Sequence, residues 1–159
     1  MRAGEAARLR ELRLRALRES PGAFGSWYGR EVELDGSHWD AMAAASEVAR
    51  TEIVFVAEED DAWLGMAGGY LLEGDPEGAG LWGMWVAPEA RRRNIATHLA
   101  DSVAAWARAR KALRLDLSVT DRAEAALALY ERLGFVPTGE REPLASDPEV
   151  VKIGLSRLL

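Results

Sequence analysis

The sequence predicts an α/β domain built on a mixed sheet, and three patterns predict it. Apolar residues recur at helical spacing, as Ile95, Leu99, Val103 and Trp106 do, stepping by four, four and three. Other segments read with period two: Leu113, Leu115, Leu117 and Val119 alternate with Arg114, Asp116 and Ser118. The two kinds interleave as helix, helix, three strands, helix, strand, helix, two strands, an order that a mixed sheet flanked by helices satisfies.

Each element follows from its residues. Leu9, Leu12, Ala16 and Leu17 mark a helix over 6–17, stopped by Ser20-Pro21-Gly22. Ser37, with Asp40 three residues on, reads as the cap of a second helix running towards Arg50. The β-branched run 53–57 reads as a strand buried on both faces. An acidic turn at 58–61 leads to a longer strand over 62–73, and Gly74-Asp75-Pro76-Glu77-Gly78 reads as a loop. A strand over 80–86 precedes the central helix, which ends near Arg110. Asp121 to Glu124 resembles a capping box, starting a helix that turns Ala126, Leu127, Tyr130 and Leu133 to the core and stops at Gly134. Two antiparallel strands, 135–141 and 150–156, close the chain around a proline-marked loop.

Composition narrows the function classes. The 159 residues suit one domain, residues 1–159, with 48% hydrophobic and 29% charged side chains. No apolar run approaches the roughly 20 residues that cross a bilayer, and no charged-then-apolar leader opens the sequence, so the expected setting is cytoplasmic, with no membrane partner. The absence of cysteine excludes thiolate nucleophiles, disulfides and thiolate metal sites, and two histidines, His38 and His98, are too few for an ordinary zinc site. No metal is expected. A net charge of −6 and a pI near 5.1 argue against nucleic acid as a partner. Arg8, Arg10, Arg13, Arg15 and Arg18 read as a solvated helix face, and His98 as a surface histidine.

The arginines at 91–93 are different, because they fall between an apolar strand and a helix. The first amides of a helix are free and its dipole favours negative charge there, so this turn reads as a phosphate cradle. Guanidinium groups add charge-assisted hydrogen bonds. A nucleotide-binding loop of the lysine-bearing glycine-rich kind is absent from the sequence.

Arg91-x-x-Asn94-x-Ala96 resembles the Arg/Gln-x-x-Gly-x-Gly/Ala signature of the GNAT superfamily of acetyl-CoA-dependent N-acetyltransferases, and Val86 and Pro88 stand where that family has its splayed strand and following turn. Residues 126–135, ALALYERLGF, resemble the family's A-x-x-LYE-x-LGF segment, and residues 12–25 resemble an early segment of its bacterial members. The resemblance implies a mostly antiparallel sheet, with the family's first strand either missing or confined to residues 1–4. It implies acetyl-CoA as co-substrate, its pantetheine arm on the backbone of Met84, Trp85 and Val86, and its diphosphate on Arg91, Arg92, Arg93, Asn94, Ala96 and Thr97. It implies Tyr130 as the acid that protonates the leaving thiolate, against the ordinary reading of a helical tyrosine as packing. The partner is an amine-bearing acceptor, a small molecule or a protein, attacked directly because no cysteine can carry an acyl group. An incomplete sheet edge would suit a homodimer.

Three positions depart from the pattern. Asn94 replaces a glycine, and asparagine is the best non-glycine occupant of a left-handed backbone. Ala123 replaces a frequent asparagine, and Gly80 stands where some members carry a catalytic glutamate. The base is then a water chain, another carboxylate or none; Asp116 and Glu73 read as ordinary strand-face charges. These departures keep a second reading open, a non-catalytic acyl-CoA-binding sensor or partner subunit. Trp27, Tyr28 and Trp39 read equally as walls of an acceptor pocket, with Glu31, Glu33 and Asp35 drawing in a cationic amine, or as packing; Trp63, Trp82 and Trp85 read as strand core.

Overall fold

A computed structural model describes residues 1–145 and 147–159. Helix α1 (Ala6–Glu19) ends as the Ser-Pro-Gly sequence requires, with the Ser20 amide closing on the Ala16 carbonyl at 2.9 Å. Residues 3–5 form a 3-10 turn, so residues 1–4 do not supply the family's first strand. A short helix the sequence reading missed, α2 (Tyr28–Glu31), precedes α3 (Gly36–Val48). The cap of α3 is Asp35, not Ser37: one Asp35 oxygen accepts from the amides of Ser37 at 2.8 Å and His38 at 3.3 Å. With the Ser37 hydroxyl as the largest cause, these bonds hold its carboxyl below the usual range.

Six strands form one mixed sheet: β1 (Glu52–Glu59), β2 (Ala62–Leu71), β3 (Gly78–Val86), β4 (Arg114–Thr120), β5 (Val136–Leu144) and β6 (Asp147–Leu158), in the order β1-β2-β3-β4-β6-β5. Only β3 and β4 run parallel. Strand β1 is not buried on both faces. It lies at an edge, paired with β2 alone, and Val54 is its one fully buried side chain. Both closing strands are longer than expected, taking in Pro143 and Pro148; β5 is the opposite edge, where a missing ladder donor does no harm. Part of the expected loop, Ser146, lies outside the described residues.

Helix α4 (Ile95–Arg108) packs on β1, β2 and β3. A Cβ on Gly69 would stand 2.8 Å from Val103 and 3.2 Å from the Trp106 ring, so the helix rests on bare backbone there. Gly68, its neighbour, faces the other way by strand alternation, and the Trp82 ring lies over it. On that second face Trp82 shares a cavity with Leu9 of α1 and Trp39 of α3. The last helix, α5 (Glu124–Arg132), starts at Ala123 without the expected side-chain cap, and only Tyr130 of its inward residues is fully buried. Gly134, at φ +83°, stops it as expected, its amide bonding the Glu131 carbonyl at 2.9 Å. No described helix is long and apolar enough to cross a membrane.

Candidate functional site

Strands β3 and β4 pair at three positions only, Gly78–Arg114, Ala79–Leu115 and Gly80–Asp116, and then part. The β4-facing backbone of residues 81–86 is therefore left without a strand partner. On its other side β3 loses register with β2 between Met66 and Gly68, two β3 residues standing opposite one. Gly83 sits in this bulge at φ +63°, a left-handed conformation that a side chain would strain. A lone glycine within an expected strand is the signal that would have found it.

Where β3 ends, Pro88 and its neighbours make one 3-10 turn and the chain passes through Arg92 at φ +62° and Asn94 at φ +60° before entering α4. Asn94 adopts the left-handed conformation expected of it. Among the described residues no acceptor bonds the amides of residues 92–97; the first α4 bond, His98 to the Asn94 carbonyl, comes after them at 3.1 Å. Six successive amides at a helix N-terminus offer a strongly anion-favouring surface.

Five of these six residues, all but Arg93, border a cavity of about 760 Å³ lined by Met84, Trp85 and Val86 of β3, by Arg91, Arg92, Asn94, Ala96 and Thr97 of the turn and α4, and by Ala123 and Leu129 from the α5 side. The predicted cofactor residues thus share one space, with Arg93 the exception. Arg93 pairs with Glu59 of β1 and lines a separate groove. Arg91 borders the cavity but is tied down: Nη2 meets Glu19 at 2.7 Å and Nε donates to the Val86 carbonyl at 3.1 Å. Glu19 also accepts from Trp85 Nε1 at 3.0 Å and from Ser20. Burial works against its charge, yet the bonds from Ser20, Trp85 and Arg91 hold its carboxyl below the ordinary range. Glu19 therefore pins the end of α1 to the end of β3 and to the arginine turn. Arg92 has no ion-pair partner among the described residues, and Arg122 and Arg132, which sequence reasoning missed, add positive charge at the rim.

Tyr130 does not line this cavity. It is 6% exposed, its ring set edge-on to Phe135 at 5.5 Å, and burial pushes its pKa up. Asp116 is engaged by Arg114 at 2.9 Å and by the Ser156 hydroxyl at 2.6 Å. Glu73 lies beyond the end of β2, not on its face, and is exposed. The space a side chain at Gly80 would need is filled by the Tyr70 ring, 2.2 Å from a Cβ built there.

Two of the three acidic residues expected to draw in an amine are otherwise occupied, and the third, Glu33, is exposed and does not line the cavity beside Trp39. Glu31 is buried and takes Arg13 Nε at 2.9 Å and Nη2 at 2.8 Å, and Asp35 caps α3. Arg13 is thus no member of a solvated face; its guanidinium lies 4.6 Å from the centre of the Phe24 ring. Trp63 and Trp85 are core, as read, while Trp82 is half-buried and His98 exposed.

The sequence model of the acetyltransferase (GNAT) family matches residues 9–135. Solved structures similar to this chain include a GNAT-family acetyltransferase from Streptococcus pneumoniae, with TM-score 0.84 and 19% identity over 100% of this chain and 96% of that one. A ribosomal-protein-alanine N-acetyltransferase from Brucella melitensis gives 0.81 and 20%, covering 100% and 97%. The yncA protein of Salmonella typhimurium, solved with its cofactor acetyl-CoA, gives 0.80 and 16%, covering 100% and 91%. At these identities the likeness is one of fold. No curated protein matches the sequence.

Proposed function

The chain belongs to the acetyltransferase (GNAT) family, and from that premise we propose that it moves the acetyl group of acetyl-CoA to a primary amine of a small molecule or protein, by direct attack in a ternary complex. The observation that carries this reading is the run of unpartnered amides at 92–97 at the border of the cavity where β3 and β4 part. A diphosphate satisfies those amides, and the open backbone of residues 84–86 suits the amide-bearing arm that follows it. The Salmonella protein of the same fold was solved with acetyl-CoA, and the Brucella one is an N-acetyltransferase; both support the choice.

Acetyl-CoA supplies an acetyl group already activated as a thioester. In the balanced reaction the amine nitrogen bonds the acetyl carbon, the carbon–sulfur bond breaks, and the proton lost by the amine is matched by one gained at sulfur. The chain's part is placement. The amides of 92–97, with Arg92 beside them, fix one end of the donor, and the bulge at Gly83 breaks the β3 ladder close to where β3 and β4 part. Holding two reactants in register supplies roughly 7–11 kcal/mol of the barrier. Tyr130 is assigned the proton for sulfur on its match to the family segment: burial raises its pKa and keeps the phenol protonated and able to donate, although its side chain is packed behind the cavity wall. With no side chain at Gly80, the amine sheds its proton to solvent, and the rate climbs with pH towards the amine's own pKa.

Thiol release from acetyl-CoA over a panel of amines tests the reading. Turnover on at least one amine, with kcat reduced about 100-fold or more in Tyr130→Phe and CoA affinity kept, is the expected result. Saturable CoA binding without turnover on any amine would favour the sensor reading.

A further inference from the structure

The second cavity, about 450 Å³ on the sheet face opposite α4, is walled by two side chains with a chemical demand that none of the described residues meets. Two of the side chains lining it, Arg13 at 7% exposure and Trp39 at 2%, each bury a donor nitrogen, Nη1 and Nε1, with no acceptor among the described residues. Buried donors are almost always paired, and two on one cavity wall point to an oxygen-bearing ligand. The third such atom, Arg157 Nε, belongs to a residue that does not line this space.

Charge and position say which oxygen. Glu31, the only carboxylate on the wall among the described residues, already spends both oxygens on Nε and Nη2 of Arg13. Arg30, at the rim, has no ion pair among the described residues, so two guanidinium groups face one carboxylate. That balance attracts an anion and repels a polycation. Arg13 Nη1 is also next to the bulge, 3.7 Å from where a Gly83 Cβ would be. In an α-amino acid the amine is one carbon from the carboxylate, so an acid held there carries its amine close to that bulge. Ser26 and His38 add two polar side chains, and the rest of the wall is apolar, from Leu9, Leu34, Met42, Met66 and Trp82.

We propose that the acceptor is a free α-amino acid with an apolar side chain, its carboxylate received by Arg13 Nη1 and Trp39 Nε1 and its amine turned to the Gly83 bulge. This rests on the acetyl-transfer reading and narrows its substrate class; polyamines, aminoglycoside-like molecules and lysine side chains are disfavoured.

The test compares L-leucine and L-phenylalanine with their methyl esters and their decarboxylated amines, using acetyl-CoA-dependent thiol release by the wild-type chain. Each amino acid should show a KM about 10- to 100-fold below those of its two analogues, the range a charge-assisted buried hydrogen bond supplies. In Trp39→Phe that preference should shrink about tenfold, a change in discrimination that mere loosening of the fold would not cause; if the variant fails to fold, the wild-type series decides alone. Amines or esters used as well as the acids would overturn the proposal while upholding acetyl transfer. Calorimetric binding of either amino acid by the chain, without turnover, would uphold the pocket and sink the transfer reading.

Discussion

Three neighbouring arginines that look equivalent in sequence meet three different fates. Arg91 is committed to Glu19, Arg93 to Glu59, and Arg92 has no ion-pair partner among the described residues and borders the cavity. Arg92→Ala should therefore weaken CoA binding by about 0.5–1.5 kcal/mol, roughly 2- to 10-fold, less at high salt, with a far smaller change for Arg93→Ala; calorimetry at two ionic strengths checks both. Arg13 shows why residue roles were only partly legible. Its partner Glu31 is 18 positions away, and no local spacing announces such a pair. Burial opposes the Glu31 charge, but Arg13 outweighs it and holds the carboxyl below its ordinary value of 4.5. The pair thus contributes fully above that pH and is lost as pH falls through the lowered value. Glu31→Gln should cost about 3–5 kcal/mol at neutral pH, and the gap from wild type should close in acid, as urea titrations across pH will show.

At the scale of elements, periodicity and breakers located the long helices and inner strands, because burial imposes its period on the sequence. Caps were less legible: Asp35 and Ser37 are both good capping residues two positions apart, and only the chain's path into α3 selects between them. The left-handed residue entering α4 was readable because asparagine tolerates that conformation where alanine does not. Asn94→Ala should destabilise the domain by about 1 kcal/mol and Asn94→Gly should not, measured by chemical denaturation. Strand β1 was misjudged because a β-branched run looks the same in the middle of a sheet and at its edge. Edge or centre is decided by the neighbours a strand receives, which lie elsewhere in the chain.

For the whole molecule, the order of elements implied a mixed sheet, and the sheet is mixed. Its internal order, and the point at which β3 and β4 separate, belong to no single segment and could come only through family resemblance. That separation creates the larger cavity, so the placement of the expected cofactor residues on one surface depends on it. A ligand that fills the gap binds the folded chain alone. CoA at about 100 times its Kd should raise the melting temperature by about 5–10 °C, as a thermal scan with and without it will show.

A crystal structure of the chain with CoA bears most directly on the account. It should place diphosphate oxygens about 2.7–3.2 Å from several amides of residues 92–97, with the pantetheine arm entering between β3 and β4. A diphosphate seated elsewhere, or CoA held only at another surface while those amides face solvent, would contradict it.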